Sequence, residues 1–168
     1  MKTIIIIQFL LAFFIGILAL IIIYKAVNYF MKKQYSITEN NNAFAVFQTG
    51  IILSGSLILS SIINPAVSAI RILNQGNEIA MNSILTSLGY VALFVVIGII
   101  CTLVVIAVGL FILFQLTHEN EGEEIKKNNI GLALVTGAII VGLSIILDEY
   151  VGHLCEALIP YPQVPRFF

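Results

Sequence analysis

The stretch that decides the fold is NNIGLALVTGAIIVG, residues 128–142, because it repeats an earlier stretch, NNAFAVFQTGIILSG, residues 41–55. The paired Asn, the Thr-Gly pair and a later Gly recur at a constant offset of 87 residues, as between positions 41 and 128. Each copy follows a polar loop and opens an apolar run. The pattern therefore predicts a tandem repeat of one membrane hairpin.

Composition indicates that lipid surrounds most of the chain. Of its 168 residues, 60% are hydrophobic and 10% are charged, against about 25% charged in an ordinary soluble domain. The mean hydropathy is +1.06. The net charge of -1 gives no support for a nucleic-acid partner. Cys101 lies inside an apolar run and Cys155 in the tail, so the two are not expected to form a disulfide.

Four apolar runs are long enough to cross a bilayer, which takes about 20 residues as a helix. They cover residues 3–24, 43–63, 91–116 with a softer lead-in, and 130–147. The Asn64-Pro65 pair is expected to end the second run, because the residue before a proline avoids the helical region. Residues 66–83 read as a short helix in the interface plane, with Arg71 towards the headgroups. A tail helix is expected to continue to about Leu158, followed by an extended, proline-rich end.

These features predict an all-α membrane protein whose four transmembrane helices form two parallel two-helix repeats, with a short interfacial helix and a C-terminal tail. The expected divisions are residues 1–63, 64–83, 84–147 and 148–168. Each repeat has an even number of spans, so both copies insert the same way up.

Five Lys lie in the loops after spans one and three, against three Lys or Arg on the other side. This bias favours cytoplasmic loops and periplasmic termini.

The repeated residues are the candidate site for helix entry and packing. Asn is a favoured N-cap, and the paired Asn stand at the starts of spans two and four. Small residues spaced four apart let transmembrane helices approach closely. The predicted entry and packing residues are Asn41, Asn42, Gly50, Gly55, Asn128, Asn129, Gly137 and Gly142.

A polar stripe follows one face of span two and admits two interpretations. Its members are Asn42, Thr49, Ser56 and Ser60. They either join helices through hydrogen bonds worth about 0.5–2 kcal/mol each, or line a narrow pore at the centre of an oligomer. In span four the later positions are Leu143 and Leu147, so the stripe is lost there.

No Asp, Glu, Lys, Arg or His falls within the four predicted spans, which argues against a proton pump, a voltage sensor or an intramembrane protease. We therefore expect no enzymatic activity, no cofactor and no catalytic or metal-binding residues. Two charged clusters leave an alternative open. Glu149, His153 and Glu156 share a face of the tail helix and offer donors to a divalent cation, and His118 precedes an acidic run. Both are more simply solvated surfaces.

The Asn-rich start followed by spaced glycines, present twice, resembles the YjfL-like family of bacterial inner-membrane proteins. The matching residues are Asn41, Gly50, Gly55, Asn128, Gly137 and Gly142, with Glu39 and Glu124 ahead of the two Asn pairs. Phe44 and Ile130 depart from the pattern, and the tail from Val151 is specific to this chain. The resemblance implies a multi-pass protein built of tandem two-span repeats, classed as a domain of unknown function, with partner proteins in envelope-stress systems.

The sequence thus favours a self-associating, non-enzymatic component of the inner membrane with a role in envelope maintenance. Its expected partners are the lipid bilayer and further copies of itself. The alternative is a small oligomeric channel or permease for ions or small solutes, with the polar stripe along its path.

Overall fold

The computed structural model describes residues 2–37, 41–73, 81–117 and 121–160, and all regular structure within them is helical. Four segments are long and apolar enough to span a membrane. The predicted all-α fold with four spans is confirmed, whereas its division into two equivalent repeats stays a prediction. The helices are α1 Lys2–Tyr35, α2 Asn42–Ser61, α3 Ile63–Leu73, α4 Met81–Thr117, α5 Glu121–Lys126 and α6 Ile130–Ala157.

Two helices extend well beyond their apolar runs. Helix α1 has 34 residues and reaches Tyr35, and α4 has 37 residues. At 1.5 Å per residue they measure roughly 50 and 55 Å, against about 30 Å for the hydrocarbon core. Lys32 and Lys33 occupy the last turn of α1, where positive charge is favourable beside the helix C-terminus. Hydropathy marks the apolar part of each helix, but the helix continues through the polar residues beside it.

The break after the second span lies at Ile62, and Asn64-Pro65 does not end helical structure. Ile62 keeps helical angles as the C-cap of α2, and α3 starts at the next residue. Pro65 falls in the first turn of α3, where a missing N–H costs no intrahelical bond. The N–H of Ala66 donates to the Ile62 carbonyl at 3.0 Å. The prediction that Asn64-Pro65 ends the second helical run was wrong, because a proline this close to a helix start is compatible with a helix.

Helices α2 and α6 form the central pair of the bundle. Helix α4 packs against both of them, α1 packs mainly on α2, and α3 packs mainly on α4. A Cβ atom placed on Gly50 would lie 2.6 Å from the Cα of Gly137, so the two backbones touch. These two glycines correspond to each other at the 87-residue offset. The closest approach of the two central helices therefore lies at matched positions of the two copies.

Further small residues accommodate the neighbouring helices. A Cβ on Gly109 of α4 would lie 2.6 Å from the Ile140 side chain, and one on Gly55 would lie 3.2 Å from Leu20 of α1. Gly142 differs, because a Cβ there meets nothing within 4 Å. Of the four glycines predicted to pack, three therefore lie at contacts between helices and Gly142 does not.

A buried hydrogen bond joins the two central helices beyond the glycine contact, one turn further along α2 and two turns further along α6. The hydroxyls of Ser54 and Ser144 lie 2.5 Å apart, and both residues are fully buried. The Ser144 hydroxyl also donates to the Ile140 carbonyl at 2.9 Å. Because a hydroxyl has one proton, Ser54 is then the donor to Ser144. Ser144 is absent from the predicted packing residues.

The glycine contact predicts unequal effects of alanine at two corresponding positions. A Cβ on Gly137 would lie at an ordinary 3.5 Å from the Gly50 Cα, whereas the reverse distance is 2.6 Å. We expect Gly50→Ala to lower the free energy of unfolding by about 1–3 kcal/mol, as overpacking does. Gly137→Ala should have a smaller effect. Reversible unfolding in mixed micelles, followed by circular dichroism, measures both.

Gly142→Ala is the matched control for this prediction. It adds the same methyl group to α6 where there is open space, so it should be neutral or stabilise by up to about 1 kcal/mol through helix propensity. Equal unfolding free energies for Gly50→Ala and Gly142→Ala would show that the backbones do not touch.

Candidate functional site

Asn41 connects the start of α2 to the end of α5. As the N-cap of α2 it accepts a hydrogen bond from the Phe44 N–H through Oδ1, at 2.8 Å. Its Nδ2 donates to the carbonyls of Ile125, at 2.6 Å, and Lys126, at 3.2 Å. The residue is 7% exposed. One buried side chain thus satisfies groups at two helix ends that otherwise have no intrahelical partner.

Asn128 ends α5 and reaches back to α2. Its φ of 65° lies in the left-handed region, which asparagine tolerates better than most residues. Its N–H donates to the Ile125 carbonyl and the Asn129 N–H to the Glu124 carbonyl, at 2.9 and 3.1 Å. This pair of bonds is a Schellman helix end. The Asn128 Oδ1 accepts from the Ala43 N–H at 2.9 Å, so it satisfies a second free donor of α2.

Asn129 performs the corresponding capping of α6. Its Oδ1 accepts from the Leu132 N–H at 3.1 Å. Its Nδ2 donates to one oxygen of Glu124 at 3.1 Å, while Lys127 donates to the other at 2.6 Å. The hydrogen bonds from Lys127 and from Asn129 hold the pKa of the Glu124 carboxyl below its usual value. Charge on Glu124 therefore supports the orientation of the cap.

Asn41, Asn128 and Asn129 together form what we call the asparagine clasp. It connects the start of α2 to the turn that precedes α6, residues distant in sequence. Asn42 is exposed at the first residue of α2 and takes no part in these bonds. The copies are not used identically, because Asn41 caps the first helix whereas its counterpart Asn128 does not cap the second. The paired Asn was the sequence signal for this site, because an N-cap uses only one Asn side chain and the second Asn is then left for another contact.

Tyr35 is a contact residue that sequence reasoning missed. Its ring lies directly against Gly122 of α5 and leaves no space for a Cβ there. This contact joins the end of α1 to the short helix whose far end the clasp holds. No motif indicated it, because α1 was expected to end before Tyr35.

The polar stripe lies on an exposed face of α2. Thr49, Ser56 and Ser60 each donate their hydroxyl proton to a carbonyl of their own helix, those of Ala45, Ile52 and Leu57, at 3.0, 2.8 and 2.7 Å. None of these hydroxyls therefore needs a partner from another helix. Thr49 lies in the wall of a surface groove, whereas Ser56 and Ser60 lie in the wall of a separate cavity.

The groove is shallow and lies over the contact between Gly50 and Gly137. It runs between α2 and α6, with Thr49 and Leu53 on one side and Leu134, Ala138 and Val141 on the other. The cavity has a volume of about 690 Å³ and lies between α1, α2, α3 and α4, with Ser56 and Ser60 in its wall.

The charged tail cluster is assembled loosely. His153 lies 3.7 Å from a Glu149 oxygen and 3.6 Å from a Glu156 oxygen, and all three side chains are largely exposed. Within the described ranges, no three His, Cys, Asp or Glu side chains are grouped so as to hold a metal ion. His118 and Glu119 of the second cluster, Glu39 and the tail from residue 161 lie outside the described residues.

The clasp predicts that two neighbouring asparagines differ sharply in importance. Asn41→Ala removes an N-cap, worth about 1 kcal/mol, and takes the side-chain donor away from the Lys126 carbonyl, whereas the Ile125 carbonyl keeps its bond from the Asn128 N–H. We expect a loss of about 2–3 kcal/mol in the free energy of unfolding, since each unsatisfied buried group costs about 1–3 kcal/mol. Unfolding in mixed micelles measures this loss.

Asn42→Ala is the matched control, because Asn42 is exposed and should change stability by less than about 0.5 kcal/mol. Asn128→Gly separates the two roles of Asn128, since glycine keeps the left-handed backbone and loses only the bond to Ala43. Similar losses for Asn41→Ala and Asn42→Ala would contradict the clasp.

The structure assigns no reaction to these residues, and comparison with known proteins gives a family but no activity. Searches of curated proteins and of solved structures found no match. A family model described as Domain of Unknown Function (DUF350) matches residues 2–151, which include α1 to α5 and most of α6. The expected resemblance to a domain of unknown function is therefore confirmed, and the chain belongs to the DUF350 family.

Proposed function

We propose that this multi-pass membrane protein is a self-associating, non-enzymatic component of the bacterial inner membrane that contributes to envelope maintenance. The observation that carries the proposal is the groove over Gly50 and Gly137. It is a lipid-accessible surface built at the place where the two central helices approach most closely. Helix packing in membranes favours such surfaces, because small residues let another helix approach to van der Waals contact.

The groove faces away from the rest of the bundle. Ile140 of α6 contacts Gly109 of α4, while Ala138 is exposed and lines the groove. Two residues along a helix correspond to a rotation of about 200°. Helix α4 therefore covers one side of the central pair, and the groove leaves the other side open.

A second copy of the chain is the occupant that the geometry favours. In a symmetric dimer the same surface meets itself across a twofold axis. Helices α2 and α6 touch at corresponding glycines and both line the groove, so this surface is suited to an isologous contact. Exposed small and apolar residues line it, and the Thr49 hydroxyl is already bonded within α2. No polar group must lose a partner when a second copy binds.

The test uses a residue that lines the groove but lies outside the internal glycine contact. Ala138→Phe should fill the groove and convert an oligomer in nanodiscs to a monomer, as measured by mass photometry or sedimentation. Ala92→Phe is the matched control, because Ala92 is exposed on α4 and should leave the mass unchanged. A Gly50 substitution is unsuitable, since it disturbs packing within one chain.

A monomeric wild-type protein in nanodiscs, at every protein concentration tried, would rule out self-association. An oligomer that Ala138→Phe leaves intact would place the contact elsewhere and remove the support of the groove.

The channel or permease alternative stays a prediction from the sequence. The polar stripe is exposed, as a pore lining in an oligomer requires, but its hydroxyl protons are committed to carbonyls of α2. Ser56 and Ser60 also line the cavity beside α1, whereas Thr49 lines the groove beside α6. The three therefore do not share one enclosed path within a single chain, and we give self-association precedence.

We further propose cytoplasmic polar loops and periplasmic termini, on the Lys and Arg bias. Cys155 is buried and is a poor reporter of topology. Glu149 and Glu123 have side chains 79% and 48% exposed, and they belong to the tail region and to α5. With an impermeant thiol reagent on intact cells, Glu149→Cys should be labelled and Glu123→Cys only after permeabilisation. The reverse pattern would invert the orientation.

A further inference from the structure

The cavity of about 690 Å³ lies in the half of the bundle opposite the asparagine clasp. Ser60 in its wall follows Asn42 by 18 residues, or roughly 27 Å along α2. The wall also includes Gly16, Leu59 and Val95. Phe13 and Ile17 line it as well and are 54% and 41% exposed. The cavity is therefore open towards the acyl chains of the leaflet on that side.

The cavity presents an apolar wall despite its two serines. Ser56 and Ser60 donate their protons to carbonyls of α2 at 2.8 and 2.7 Å. Bonded in this way, they do not need water, and the other wall residues from the four helices are apolar except Arg71. An apolar space of this size suits a hydrocarbon chain, because ligand pockets of about 300–1,000 Å³ bury most of a small ligand's surface.

Arg71 adds a single positive charge to the edge of this space. It lies in the last turn of α3 and is exposed, and no carboxylate forms an ion pair with it among the described residues. A guanidinium presents donors that match the geometry of a phosphate. Basic pockets between membrane helices bind anionic lipid headgroups, and Arg71 is the charged residue in the wall of this cavity.

We propose that the cavity binds an anionic phospholipid from this leaflet, with its phosphate at Arg71 and an acyl chain between α1, α2, α3 and α4. A free phosphate would leave the apolar wall uncovered. A zwitterionic lipid also presents a phosphate, but its own cation already balances that charge, so an anionic headgroup is favoured beside Arg71. The proposal is independent of self-association, because the groove and the cavity are formed by different sets of residues.

Native mass spectrometry of protein released from nanodiscs tests this site. Wild type should retain phosphatidylglycerol about fivefold more than phosphatidylcholine, the ratio that corresponds to the ~1 kcal/mol of one Lys or Arg near an anionic surface. Arg71→Gln should remove the preference, and Arg71→Lys should keep most of it. Equal retention of both lipids by wild type, or a preference unchanged in Arg71→Gln, would overturn the assignment of the headgroup.

The acyl chain is tested by filling the cavity. Gly16 lines it, and a Cβ there meets nothing within 4 Å, so Gly16→Leu should enter the cavity without disturbing packing and reduce retention of both lipids severalfold. Gly89→Leu is the matched control, since a Cβ on Gly89 also meets nothing and Gly89 does not line the cavity. Circular dichroism confirms folding of each variant. Equal lipid retention by Gly16→Leu and Gly89→Leu would exclude the cavity as the binding place.

Discussion

The contact between the backbones of Gly50 and Gly137 is the constraint on which the bundle depends. In lipid, apolar side chains gain little by leaving the solvent, so helices associate through close packing and hydrogen bonds. The glycine pair supplies both, because it brings α2 and α6 near enough for Ser54 to bond Ser144 at 2.5 Å. Helix α4 then packs on the resulting pair, with Gly109 against Ile140. A wider separation of α2 and α6 would weaken each of these contacts.

Such a contact requires the two helices to be correctly placed along their axes, and the asparagine clasp supplies that placement. A slide of one residue is about 1.5 Å, enough to move Gly50 away from Gly137. The bonds from Asn41 to the Ile125 carbonyl and from the Ala43 N–H to Asn128 are each under 3 Å, and they would be lost in such a slide. The clasp lies about 12 Å from Gly50 along α2. Polar bonds at the starts of these apolar helices thus set the register of the apolar contact between them.

The sequence predicted the features that depend on neighbouring residues and missed those that join residues distant in the chain. Hydropathy located four spans, and capping preference placed Asn at two helix starts, because both depend on neighbouring residues. The bond between Ser54 and Ser144 could not be found, since these residues do not correspond at the 87-residue offset. The crossing bond from Ala43 to Asn128 depends on how two helix ends meet. The end of α1 was placed too early because the helix continues past its apolar part.

The role of the polar stripe of α2 depends on the two surfaces that flank it, the groove and the cavity. Thr49 is about 10 Å from the clasp and faces the groove beside α6, whereas Ser60 is about 27 Å away and faces the cavity beside α1. A second copy in the groove and a lipid in the cavity would therefore occupy different depths of the membrane and different flanks of one helix. Hydroxyls bonded to their own backbone are suited to both places, because they keep side chains small without requiring a polar partner. This explains why a stripe that looks like a pore lining in the sequence is compatible with contacts to lipid and to protein.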